Sequence, residues 1–162
     1  MKSYLFENYL FDVVGEVSLP AYHPVASSIV NQLPSVAPRI TLERGVADFL
    51  SSYEESPLPS RIVVGADLLR ERDDFSIAIS LNNEHLTAWA DLKELLQLQP
   101  QGEAGELLTS GRANVFYLLN QKEAVAMTVY WFNNHWQLEE LAISNKSSWR
   151  PGNRFFFYKK LS

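Results

Sequence analysis

Residues 114–143 of the chain read NVFYLLNQKEAVAMTVYWFNNHWQLEELAI, and this stretch decides the predicted fold. Apolar and polar residues alternate through much of it, which is the period of two that a half-buried β-strand requires. Gln121-Lys122 and Asn133-Asn134 interrupt the pattern and are typical of two-residue hairpin turns, since Asn tolerates a positive φ. We therefore predict antiparallel strands over residues 114–119, 124–132 and 135–143.

The two turns set a register that side-chain chemistry can test. This register pairs Trp131 with Trp136, Val129 with Leu138, Met127 with Phe116, and Val125 with Leu118. All eight side chains then fall on one face, because residues opposite each other in a ladder share a face. We expect this face, with its cross-strand tryptophan pair, to lie on the core.

The predicted fold class is α+β. Residues 154–160 (RFFFYKK) are predicted to add a fourth strand, so that a mostly antiparallel sheet is dominated by a four-stranded C-terminal meander. Helices from the N-terminal two thirds are expected to pack on one face of it. One globular domain over residues 1–162 is the expected organisation, because a chain of this length buries about two thirds of its unfolded surface.

Apolar spacing predicts the elements that precede the meander. Helices are predicted over residues 5–14, 24–33 and 45–53. The first of them would end at Gly15 as its C-cap, and the alternative for the same residues is a bent strand. Residues 39–43 and 61–65 are predicted strands. Residues 75–81 (FSIAISL) alternate and predict a strand that turns at Asn82-Asn83 and returns over 85–90, and Asp91 is predicted to be the N-cap of a helix.

The composition excludes several classes of protein. The chain has 14 basic and 19 acidic residues, three histidines, no cysteine and a net charge of −5. It is too apolar to be disordered, has no thiol for disulfides, zinc fingers or catalysis, and is not basic enough for a dedicated duplex-DNA binder. Phosphate-binding motifs and a nucleophile elbow are absent, and no two histidines have metal-ligand spacing. We therefore expect no cofactor and no metal.

The sequence also bears on location. The longest apolar runs fall far short of the approximately 20 residues that a membrane-spanning helix needs. Glu7 and Asp12 interrupt the apolar N-terminal stretch, so a secretory signal core is missing. The expectation is a soluble cytoplasmic protein that does not bind membranes.

Charge is distributed unevenly along the chain. Residues 141–162 contain five basic residues and no acidic one, whereas the rest carries nine basic and 19 acidic residues. Aromatic rings are interleaved with these charges, and Trp and Arg are enriched at interface hot spots. The predicted partner-binding residues are Trp149, Arg150, Arg154, Phe156 and Tyr158.

The same segment allows other interpretations. Its aromatic rings would pack in the core of an edge strand, with Lys159 and Lys160 protecting that edge from aggregation. It would also suit single-stranded nucleic acid, which needs basic groups and stackable rings, or a homodimer formed through the strand. A further alternative is that the basic segment folds onto the acidic remainder.

The leading hypothesis for function is a small acidic non-catalytic protein of the accessory, inhibitor or immunity type. It would recognise a macromolecular partner, another protein or a second copy of itself, through an aromatic sheet face and the C-terminal basic-aromatic segment. The alternative is a small-ligand-binding protein or an enzyme with a cleft around Tyr130, His135 and Glu139, which share one predicted face. The solvated outer face of an antiparallel sheet would carry the same residue types. Binding of single-stranded nucleic acid is the third hypothesis.

Overall fold

The computed structural model describes residues 10–37, 39–43, 45–120, 123–144 and 146–159. Its strands are β1 (Phe11–Leu19), β2 (Ile40–Leu42), β3 (Arg61–Leu68), β4 (Arg72–Asp73), β5 (Asn114–Asn120), β6 (Glu123–Phe132), β7 (His135–Ala142), β8 (Ser148–Trp149) and β9 (Arg154–Tyr158). Its helices are α1 (Ile29–Val36), α2 (Val46–Ser52), α3 (Asp74–His85) and α4 (Trp89–Leu98). Within the described residues, seven strands form one sheet in the order β1-β3-β9-β5-β6-β7-β2, and β4 pairs separately with β8.

The predicted register of residues 114–143 is confirmed. All four predicted cross-strand pairs are present: Trp131–Trp136, Val129–Leu138, Met127–Phe116 and Val125–Leu118. Asn133 and Asn134 connect β6 to β7 with φ values of 47° and 60°, the left-handed conformations that such a turn requires. The other predicted turn, Gln121-Lys122, lies outside the described residues, although β5 and β6 pair on either side of it as predicted.

The position of the last strand corrects the predicted four-stranded meander. β9 lies between β3 and β5, antiparallel to β3 and parallel to β5. Because β2 also pairs in parallel with β7, the sheet is mixed and not mostly antiparallel. Phe155–Phe157 are buried, and a continuous apolar run is typical of a strand covered on both faces. Both edges of β9 are occupied, so the interpretation of this segment as an edge strand, available to a second copy, is wrong.

Helices cover both faces of the sheet, not one as predicted. On one face of the sheet, α1, α2 and α4 pack against strand residues that include Phe116, Trp136 and Phe156. We call this cluster of buried residues the first core. On the opposite face, Ile77 and Leu81 of α3 belong to a second core that includes Phe155 and Phe157. β9 therefore contributes side chains alternately to both cores, as the pleat of a strand dictates.

Residues 74–85 form the helix α3, where alternation predicted a strand, a turn and the start of a second strand. Asp73 caps this helix, because its Oδ1 accepts a hydrogen bond from the backbone N–H of Ser76 at 2.8 Å. Ile77 and Leu81 are four residues apart and lie on the buried face, whereas Ile79 points outward. The alternating apolar residues of FSIAISL are thus divided between a core face and an exposed face.

The first described strand also differs from the helical prediction. Gly15 lies inside β1 at a β-bulge between Val13 and Gly15, and does not cap a helix. The bulge rotates the strand, so that Val13 packs in the second core and Val17 in the first. The predicted alternative of a bent strand is correct from Phe11 onward, and residues 5–9 of that prediction lie outside the described residues.

The remaining elements agree with prediction in kind but not always in extent. β2, α2 and β3 confirm the strands and the helix predicted there. α1 begins at Ile29, with Ser28 as its N-cap. The helix was predicted to end before Pro34, but it includes this residue. The N-cap of α4 is Ala88 and not Asp91 as predicted; Asp91 is the third residue of the helix, and from that position its carboxylate accepts a hydrogen bond from the backbone N–H of Ala88 at 2.7 Å.

Two alanine substitutions distinguish helix α3 from the strand that alternation predicts. Ile77 is 0% exposed and Ile79 is 61% exposed. Ile77→Ala should lower the free energy of unfolding by about 2–5 kcal/mol, because it leaves a cavity in the second core. Ile79→Ala should change it by less than about 0.5 kcal/mol. Urea denaturation measures both, and equal losses would contradict the helix, since a strand places both residues on one face.

Candidate functional site: a groove beside helix α3

The five predicted partner-binding residues lie in different surroundings. Phe156 is 1% exposed and stacks on Phe116 with ring centroids 4.6 Å apart. Arg150 is exposed and precedes the Pro151-Gly152 turn, in which Gly152 has the positive φ, 90°, that a type II turn requires. The remaining three, Trp149, Arg154 and Tyr158, are half-buried and engaged with acidic residues of the same chain.

Part of the basic C-terminal segment is paired inside the protein. Arg154 Nε lies 2.7 Å from Asp67 Oδ1, and Arg154 Nη1 donates a hydrogen bond to the carbonyl oxygen of Glu106. Lys159 Nζ lies 3.0 Å from Glu16 Oε2. Lys160 lies outside the described residues. Internal ion pairs therefore neutralise part of the positive charge of this segment, in agreement with the alternative that the basic segment folds onto the acidic remainder.

Trp149 completes a buried polar cluster around Asp74, which is 2% exposed. The indole Nε1 donates to Asp74 Oδ1 at 2.9 Å, and the hydroxyl of Tyr117 donates to the same oxygen at 2.5 Å. Asp74 Oδ2 accepts from the backbone N–H of Ser144. Burial, with the adjacent Asp74 carboxylate, raises the pKa of Tyr117 well above its ordinary value. These bonds tie β5 and β8 to the first turn of α3.

Tyr158 belongs to a second buried cluster, at the start of α4. Its hydroxyl donates to Asp91 Oδ2 at 2.6 Å, while Arg61 Nε donates to Asp91 Oδ1 at 2.5 Å. Arg61 Nη2 makes no hydrogen bond within the described part of the chain but lies 3.5 Å from Glu94 Oε1. Burial and the Asp91 charge raise the pKa of Tyr158. The cluster fixes β3, β9 and α4 relative to one another.

Two of the three predicted cleft residues meet. The Tyr130 hydroxyl donates to Glu139 Oε2 at 2.6 Å, and burial together with this bond raises the pKa of Tyr130 to about 12. His135 lies four residues from Glu139 along β7, a distance of about 13 Å at the rise of a β-strand. Its Nδ1 contacts the carbonyl oxygen of Asn133 at 3.2 Å. The structure therefore brings together Tyr130 and Glu139 and does not place His135 beside Glu139.

A wide groove of about 1100 Å³ lies between α3 and the ends of β6 and β7. We refer to it as the α3 groove. One wall is formed by α3 and the other by the first residues of β6 and the last residues of β7. Its described lining residues are Phe75, Ala78, Ile79, Asn82, Asn83, Glu84, Glu123, Ala124, Val125, Glu140, Ala142 and Ile143.

The lining of the α3 groove combines apolar surface with negative charge. Phe75 is 49% exposed and Ile79 is 61% exposed, although both side chains are large and apolar. Seven of the twelve described lining residues are apolar. The charged side chains among the twelve are Glu84, Glu123 and Glu140, and none of the twelve is basic.

The backbone of α3 is distorted where it lines the α3 groove. Asn82 has φ 45° and ψ 174°, a non-helical conformation inside the helix. Its side chain supports this conformation, because Asn82 Oδ1 accepts a hydrogen bond from the backbone N–H of Glu84 at 2.9 Å. Sparsely populated conformations of this kind cost about 1–3 kcal/mol each and concentrate at functional sites. The distortion turns Asn83 and Glu84 out of the regular helical path at the edge of the groove.

Phe75 and Ile79 are groove residues that alternation assigned to a strand face. A helix signal was present in the sequence, since Asp is a preferred N-cap residue and Asp73 stands just ahead of the apolar residues that begin at Phe75. With that start, Phe75 and Ile79 fall four residues apart on one side of a helix. What the sequence did not contain was the position of the other wall, which comes from strands about 50 residues later.

The described residues include neither a metal-binding cluster nor a membrane-spanning helix. No group of three or more His, Asp or Glu side chains in that part of the chain is arranged to hold a metal ion. None of the described helices combines the length and the apolar character needed to cross a membrane.

Comparisons with protein-family models, with curated proteins and with solved structures found no match to this chain. The structure defines its class as an α+β protein with a mixed seven-stranded sheet in the described residues.

The Asp91 cluster makes a specific prediction for stability. Asp91→Leu should lower the free energy of unfolding by about 3–5 kcal/mol, because Arg61 then remains buried without its partner. The double variant Arg61→Met plus Asp91→Leu should lose less than Asp91→Leu alone, since it buries no unpaired charge. Urea denaturation at pH 7 measures both variants. A double variant less stable than the single one would show that the ion pair itself, and not the cost of an unpaired charge, stabilises the fold.

Proposed function

We propose that this protein is a non-catalytic interaction protein and that it binds a partner protein in the α3 groove. The observation that carries the proposal is the placing of Phe75 and Ile79, two large apolar side chains about half exposed or more in one groove. Exposed apolar residues that occur singly are ordinary, whereas a contiguous apolar patch with a polar rim is typical of an interaction site.

The distorted backbone at Asn82 is a second observation in favour of the α3 groove as the interaction site. Strain is retained in a folded protein only where the surroundings hold it in place, and it is over-represented at ligand clamps and switch regions. Asn82 also lines the α3 groove. Two independent features, exposed apolar surface and an unusual backbone conformation, thus coincide on one side of α3.

This proposal keeps the hypothesis of a protein partner and moves the contact away from Phe156 and Tyr158. Phe156 lies in the first core, and the Tyr158 hydroxyl is bonded to Asp91. Arg150 is exposed but is not among the lining residues of the α3 groove. The catalytic alternative receives less support, because Tyr130 and Glu139 are bonded to each other without His135.

Site-specific photo-crosslinking in the host cell tests the proposal. Phe75 is replaced by p-benzoylphenylalanine, and the matched control carries the same replacement at Phe132, an exposed aromatic residue outside the α3 groove. Illumination should attach a second polypeptide to the position-75 variant and not to the position-132 variant, as read by mass spectrometry of the products. Circular dichroism establishes that both variants are folded.

Three results would refute this function. They are the absence of any protein adduct at position 75, equal adducts at both positions, or an adduct at position 132 alone. An Ile79→Asp change added to the position-75 variant should reduce the yield at least tenfold, because it places a charge in the apolar part of the groove.

A further inference from the structure

The outer edge of β7 is only partly covered. β2 pairs with β7 through Ile40–Leu42, which lie beside Trp136–Leu138. From Glu139 to Ala142, no strand of the described residues lies on that side of β7, and the start of α2 at Gly45 lies close to the Glu140 carboxylate. An open sheet edge of this kind presents backbone N–H and C=O groups that another strand can pair with.

The direction of these backbone groups follows from the bonds that β2 makes. The N–H of Trp136 donates to the carbonyl oxygen of Arg39, and the N–H of Glu43 donates to the carbonyl oxygen of Leu138. Residues 136 and 138 therefore direct their backbone groups away from β6. Because this direction repeats every second residue along a strand, Glu140 and Ala142 direct theirs to the open edge.

The open edge lies within the α3 groove. Ala142 lies opposite Val125, which packs on the first core, whereas Ile143 packs on the second core with α3. All three residues line the groove. The groove therefore wraps around the corner of the sheet where β7 ends, from the face that α3 covers to the opposite face.

We propose that the occupant of the α3 groove is an extended segment of the partner protein, rich in Lys or Arg and in apolar residues, which adds as a strand to β7 beyond the end of β2. The inference rests on the proposed function and specifies its partner. Residues 139–142 offer about 13 Å of edge, which four residues of an added strand would cover. Backbone pairing of this type supplies affinity, and side-chain pockets supply specificity.

The charge of the groove determines the charge of the segment. Glu123 and Glu140 line the groove together with its apolar residues, and none of the described lining residues is basic. Complementary charge would steer a basic segment to the site, while an acidic one would be repelled. A second copy of this chain is disfavoured as occupant, because the chain carries a net charge of −5 and a symmetric contact would bring identical acidic rims together.

Selection from a phage-displayed library of random dodecapeptides tests this inference. The full-length protein is the bait, and a Phe75→Asp plus Ile79→Asp variant is the matched counter-selection, since both side chains are exposed. The enriched peptides should alternate apolar residues with Lys or Arg and carry a net positive charge. The dissociation constant of the most enriched peptide is then measured by fluorescence anisotropy.

Two measurements separate an added strand from other binding modes. Methylation of alternate backbone nitrogens of the peptide, on the side that pairs with β7, should weaken binding at least tenfold. Ala142→Pro should do the same, since it removes an outward N–H without breaking the β6–β7 ladder. Glu140→Lys should weaken binding tenfold, whereas Glu54→Lys, an equal charge change at an exposed position outside the groove, should leave it within twofold.

Other outcomes overturn the inference. Peptides that require the groove but are acidic or uncharged, or that tolerate both N-methylation patterns, would refute a basic added strand and leave the crosslinking result for the proposed function intact. Peptides retained equally by the groove variant, or no enrichment at all, would also refute it. A dimer in solution that Ile79→Asp dissociates would assign the groove to a second copy of the chain.

Discussion

Three consecutive phenylalanines, Phe155–Phe157, in the centre of the sheet are the constraint on which the rest of the structure depends. Their strand is hydrogen-bonded on both edges, by β3 and by β5, and its side chains enter both cores. Burying such a strand requires helices on both faces, because successive side chains of a strand point in opposite directions. α3 covers the second core for this reason. The α3 groove exists because α3 lies on this face of the sheet.

Two buried carboxylates hold the helices on this sheet. Asp91 joins the start of α4 to Arg61 and Tyr158, and Asp74 joins the start of α3 to Tyr117 and Trp149. A buried carboxylate is costly unless hydrogen bonds satisfy it, so each cluster favours one placement of its helix. The same bonds engage Trp149 and Tyr158, whose chemistry had suggested partner binding, with other parts of the chain.

The proposed interaction surface arises from incomplete coverage of the sheet. β2 is three residues long and covers only the first part of β7, while α3 leaves Phe75 and Ile79 exposed above the strand ends. Natural sheets usually protect open edges with charge, and here Glu140 lies on that edge. In the proposed function, the carboxylates that discourage pairing with acidic chains would select a basic one.

Local patterns determined much of this protein, and long-range contacts decided the remainder. The two predicted turns, Gln121-Lys122 and Asn133-Asn134, and the alternation around them specified the register of β5, β6 and β7, because a hairpin is encoded by adjacent residues. Alternation misled at residues 75–81, where the Asp73 cap and tertiary packing favour a helix. At residues 154–158 the strand was predicted but its central position was not, because a central strand resembles an aromatic edge strand. The α3 groove was invisible in the sequence, since its two walls are separated along the chain and are brought together by tertiary contacts, namely the burial of β9 and the hydrogen bonds of Asp74.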